Sequence, residues 1–106
     1  MRVLFDQGTP VPLRLSLSKH SVSTAYELGC ATLKSGELLC VAEERGFEVF
    51  VTTDANLQYQ QNLAARRIAV VVLSTTSWPR IRFVAELGAS VINSVSIGSY
   101  VEVSVP

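Results

Sequence analysis

The segment Ile68-Ala69-Val70-Val71-Val72-Leu73 constrains the fold more than any other part of the chain. It is apolar throughout and mostly β-branched, which favours a strand. Alternate side chains of a strand point to opposite faces, so this one must be covered on both sides. Strands of that kind belong to parallel sheets flanked by helices.

The flanking sequence fits such a sheet. Arg2-Val3-Leu4-Phe5 is β-rich and stops at Asp6-Gln7-Gly8; Thr9 is placed to cap a helix with Pro10 in its first turn, and Leu13 and Leu17 share one face. His20 to Thr24 alternates as a second strand, and Tyr26 to Lys34, interrupted by Gly29, reads as irregular with a helical turn. Ser35 is placed to cap a helix over Gly36 to Arg45, with Leu38, Leu39 and Ala42 inward and Gly46 as a left-handed stop. Glu48 to Thr53 is a third strand ending at Asp54, and Ala55 to Ala65 a short helix rich in Gln and Asn. Ser77-Trp78-Pro79 opens a last helix that carries Ile81, Val84, Ala85 and Leu87. Tyr100 to Val105 alternates strictly and suits an edge strand with one wet face.

Strand and helix alternation predicts one three-layer α/β/α domain over residues 1–106, with a mainly parallel sheet, right-handed crossovers and order 2-1-3-4 plus the C-terminal edge strand. A chain of 106 residues, 48% hydrophobic and 17% charged, supplies one core and no second. Nine basic residues balance nine acidic ones, so nucleic-acid contact must be local rather than a bulk electrostatic coating. No apolar run approaches the ~18 residues of a membrane span. Asp6 interrupts any signal-peptide core, which points to the reducing cytoplasm with Cys30 and Cys40 as free thiols. With no CxxC pair and His20 the sole histidine, a zinc site is not expected.

In open α/β sheets, sites lie outside the carboxyl ends of the strands at the switch point, here between strands one and three. The chain's two aspartates, Asp6 and Asp54, end those strands. Neighbouring strands are ~4.8 Å apart, so the carboxylates can converge on a hard cation such as Mg2+ or Mn2+. The bland alternative is that each aspartate merely ends its strand or caps the next helix. Glu37, in the first turn of the Ser35 helix, is the next candidate acid, though the helix dipole accounts for it equally well. Glu27 is a possible fourth; Glu43, Glu44 and Glu48 read as a solvated face. His20 starts its strand and so belongs at the opposite end of the sheet, which excludes an Asp-His-nucleophile arrangement. No GxSxG elbow, GxGxxG or Walker loop occurs. The amides Gln60, Gln61 and Asn62 can contact a sugar-phosphate backbone. Arg80 and Arg82, with Trp78, follow strand four onto the same edge as the acids, where they can pair phosphate and stack a base, although a tryptophan in a chain of this size more often belongs to the core. Arg66 and Arg67 precede strand four and belong at the other end.

Val3-Leu4-Phe5-Asp6-Gln7-Gly8-Thr9-Pro10, Ser35-Gly36-Glu37-Leu38-Leu39, Val51-Thr52-Thr53-Asp54 and Tyr59-Gln60-Gln61-Asn62-Leu63 occur in that order. Over roughly residues 1 to 75 the chain resembles a small PIN-like family, the bacterial domain of unknown function numbered 5615. PIN-like domains are metal-dependent ribonucleases, many of them toxins paired with an antitoxin. The resemblance implies Asp6, Glu37 and Asp54 as metal-binding, catalytic acids and RNA as substrate. The chain departs from the pattern at Gln7, where relatives commonly carry Glu, and at Asn56, where many PIN domains carry a fourth acid.

The expected activity is thus a Mg2+-dependent endoribonuclease. The alternative is a PIN-like fold without catalysis that binds a partner protein or itself. A receiver-like phosphoacceptor also places an Asp at a strand end, but wants an acidic pair and a late lysine that are missing. The unguarded edge strand and zero net charge favour a homodimer or a complex with a small antitoxin-like partner. Val84, Val91 and Ile92 are expected to exceed what one core needs.

Overall fold

The computed structural model describes residues 1–57 and 63–106. Strands β1 (Arg2–Phe5), β2 (Ser21–Thr24), β3 (Val49–Thr52), β4 (Ala69–Leu73) and β5 (Tyr100–Val103) form one sheet in the order β2-β1-β3-β4-β5, every pair parallel. The order is the expected one, with β5 at the edge.

Period-2 alternation sorts the core into two halves. Val3, Phe5, Val49, Val51, Ala69, Val71, Leu73 and Val103 pack on one face, together with Leu13, Leu17, Ile81 and Ile92. Leu4, Phe50, Val70 and Val72 pack on the other, against Leu38, Leu39, Ala42, Leu57 and Leu63. The first half is covered by a 3-10 helix (Val11–Leu17), α2 (Trp78–Ile81) and α3 (Ala85–Ser94), and the second by α1 (Ser35–Glu44) and the segment around Leu57 and Leu63. β4 is buried at all five positions, as a run apolar on both sides requires.

Three connections share one hand and the last does not. The β2–β3 and β3–β4 connections advance across the sheet on the α1 face, and β1–β2 returns on the opposite face, which is the same hand. The β4–β5 connection advances as the first two do but lies on the face of the 3-10 helix, so its hand is reversed and the expectation of uniform right-handed crossovers fails. The physical reason is burial: without α2 and α3 a single seven-residue 3-10 helix would cover Val3, Phe5, Val49, Val51 and Val71.

Several local expectations are corrected. Thr9 caps no helix; Pro10 is the N-cap, and the following helix is 3-10 rather than α. Lys34, not Ser35, is the N-cap of α1, and its backbone N–H donates to Glu37 Oε1 at 3.2 Å. The last helix is divided, because Val84 (φ −120°, ψ 20°) leaves helical geometry between a 3-10 turn (Arg82–Val84) and α3. Leu87 points outward, 54% exposed. Val84 and Val91 are half-buried against the core and Ile92 is wholly inside it, so they are no surplus. Most of the expected helix at Ala55 to Ala65 falls outside the described residues, and Leu63–Ala65 is a 3-10 turn. Gly46 stops α1 with φ +78°, as expected. Both cysteines are free.

Candidate functional site

The pairing of Phe5 with Val51 sets the residues that follow β1 and β3 side by side at the carboxyl edge. The Asp6 N–H continues the ladder, donating to Val51 O at 3.0 Å. The Asp6 side chain is 6% exposed. Its Oδ1 accepts from Gly8 N at 3.2 Å, Thr9 N at 3.0 Å and Thr9 Oγ1 at 2.7 Å. Its Oδ2 accepts from Thr52 Oγ1 at 2.6 Å. Burial of a carboxylate is tolerated because four donors replace water.

Thr52 carries the connection to the second aspartate. Its hydroxyl oxygen, having donated its proton to Asp6, accepts from Asp54 N at 3.1 Å. Asp54 Oδ1 accepts from Asn56 N at 3.0 Å, an Asx turn that fixes the half-buried carboxylate at the start of its loop. Asp54 Oδ2 has no hydrogen bond among the described residues.

α1 follows β2 and precedes β3, so its N-terminus lies at the same edge. Gln7 fastens it there: its Nε2 donates to Ala31 O at 2.8 Å and Leu33 O at 2.7 Å. Glu37 therefore shares the edge but is engaged in closing the first turn of α1. Among the described residues no three acids, histidines or cysteines group closely enough to hold one metal ion. The pair Asp6 and Asp54, with one lightly used oxygen each, has the hard donor chemistry that suits Mg2+ or Mn2+ retaining several waters.

The other predicted residues are distributed more widely. Glu27 is paired with Arg14 and accepts from Thr24 N at 2.9 Å. The Arg14 guanidinium, then the Thr24 amide, hold its carboxyl below the usual range. His20 lies at the amino edge, beside Met1 and Asn93, as expected. Arg80 is spent on the C-terminal segment, donating to Pro106 O at 2.8 Å and Val105 O at 3.2 Å. The Arg82 guanidinium lies 5.3 Å from the centre of the exposed Phe83 ring. Trp78 is packed against the core, which removes it as a stacking surface. Gln60, Gln61 and Asn62 lie outside the described residues. Arg66 and Arg67 engage Glu43 at the far end of α1.

The loops that follow β1 and β3 pack closely against each other. A Cβ on Gly8 would stand 2.4 Å from Thr53 Oγ1 and 3.5 Å from Thr76 Cγ2, so only glycine lets the two loops approach this closely. Space opens instead on the β2 side, as a cavity of about 310 Å³ reaching from Asp6 and Gln7 to Thr24 and Tyr26. Gln7, Thr9, Thr52 and Tyr26 are the positions that sequence reasoning missed. For Thr52 the signal was present: a hydroxyl ending an apolar strand two residues before an aspartate.

No family model, no curated protein and no solved structure matches the chain.

Proposed function

We propose that the chain is a PIN-like, Mg2+-dependent endoribonuclease with Asp6 and Asp54 as its metal-holding acids. The observation that carries this reading is the Asp6–Thr52–Asp54 link at the carboxyl edge of two paired parallel strands. A bound divalent cation would supply a water of lowered pKa and charge stabilisation for the leaving oxygen. The chain's own residues supply orientation. Four donors lock the Asp6 carboxylate, Thr52 spaces it from the Asp54 loop, and the Asx turn holds Asp54. Glu37, at the same edge, would orient water outside the pair. A small antitoxin-like protein would be the partner if the enzyme is a toxin. Paramagnetic broadening by Mn2+ tests the site: amide signals of Gly8 and Thr53 should vanish first. Uniform broadening, or broadening centred elsewhere, would contradict it.

A second reading, a non-catalytic module, is favoured by one observation in the last helical region. Phe83 and Leu87, four residues apart, are 80% and 54% exposed, an apolar pair unrelated to the core. A homodimer or partner complex through this face would be weakened by Leu87→Asp, read by light scattering, while RNA cleavage would be absent from wild type.

A further inference from the structure

Around the cavity beside Asp6, we infer a pocket for a single unpaired nucleobase that stacks on Tyr26; as a recognition site for the RNA strand it rests on the ribonuclease reading. Its volume of about 310 Å³ lies at the small end of the ~300–1,000 Å³ of ligand pockets, enough for a small planar ring and too little for a folded element. Tyr26 is 83% exposed and lines this cavity, so its ring is not spent on the core. Val11 and Ala25 add apolar wall, while Asp6, Gln7 and Thr24 bring polar groups to it. This is the mixture a base requires: an aromatic platform with hydrogen-bonding groups at its rim.

The polar groups of the lining are mostly engaged within the fold. Both Asp6 oxygens accept from Gly8, Thr9 and Thr52, and the Gln7 amide nitrogen donates to Ala31 O and Leu33 O. Stacking on Tyr26 therefore carries recognition, which is tolerant of base identity. Electrostatics agree with a base-directed site. The chain has no net charge, and Arg14 is paired with Glu27. Stacking is then the main source of affinity.

Because a free nucleotide and a base within a strand offer the same ring, both are tested, in EDTA so that metal binding plays no part. AMP, CMP, GMP and UMP, and a single-stranded hexanucleotide RNA, are titrated into the protein and followed by amide chemical shifts. Binding should perturb Thr24 to Tyr26. Tyr26→Ala should weaken it about tenfold or more, and Tyr26→Phe should retain it. Saturation by mononucleotides identifies a free nucleotide as a sufficient ligand; saturation by the hexamer alone identifies a base in a strand. Absence of binding by either, or binding unaffected by Tyr26→Ala, would overturn the pocket. Metal-dependent cleavage measured separately keeps the two readings apart: base binding without cleavage defeats the ribonuclease reading alone, and cleavage without Tyr26-dependent binding defeats the pocket alone.

Discussion

The Thr52 hydroxyl donates to Asp6 Oδ2 at 2.6 Å with both side chains buried, so β3 holds the loop that leaves β1. A hydrogen bond to a charged group contributes about 1.5–3 kcal/mol. Thr52→Val, nearly isosteric, should lower stability by about that amount in urea unfolding, and Thr52→Ser should recover most of it. An unchanged midpoint for Thr52→Val would show that the bond carries no stability.

Asp6 is both a candidate ligand and a staple. Asp6→Ala strands the Gly8 and Thr9 amides and the Thr52 hydroxyl, and should cost at least ~2 kcal/mol. Loss of activity in that variant therefore cannot be assigned to chemistry alone. Asp6→Asn keeps one acceptor oxygen and should fall between wild type and Asp6→Ala in thermal unfolding.

Gly8 and Thr53 are coupled through space. Gly8→Ala should destabilise by about 1–3 kcal/mol through overpacking against Thr53 Oγ1. Thr53→Ala in the same chain should return part of that loss, as a double-mutant cycle would measure. Additive effects would show that Gly8 and Thr53 do not pack against each other in solution.

Glu27 gives a pH signature. Its carboxyl is held below the ordinary value of 4.5, chiefly by Arg14. A depressed folded-state value means that this pairing stabilises the fold above the ordinary value and is lost as pH falls through the lowered one. An NMR titration should place the Glu27 midpoint below 4.5, and Arg14→Ala should move it upward.

The strands and their order were legible because β4 is apolar on both faces and each strand ends in a turn signal or an acid. The reversed last crossover was not, since which face α2 and α3 cover depends on how little the 3-10 helix buries, a tertiary balance. At the site, Asp6 and Asp54 were legible from their place at strand ends. Arg80 was misread because a position after β4 says nothing of where a side chain turns: it went to the C-terminal carbonyls, while Trp78 took the core place that a lone tryptophan usually takes. Glu37 was correctly placed in the first turn, where the helix-terminal role is the one its contact displays.

Asp54 is the residue on which to test cleavage, because its carboxylate holds only its own loop and its replacement should leave the fold intact. Wild type and Asp54→Asn, matched for folding by circular dichroism, are incubated with end-labelled single-stranded RNA in Mg2+ and in EDTA. Wild type should cleave only with Mg2+, and Asp54→Asn should be slower by about 100-fold or more. Equal cleavage by both proteins, or none by folded wild type with Mg2+ or Mn2+, would contradict a metal-dependent ribonuclease at this edge.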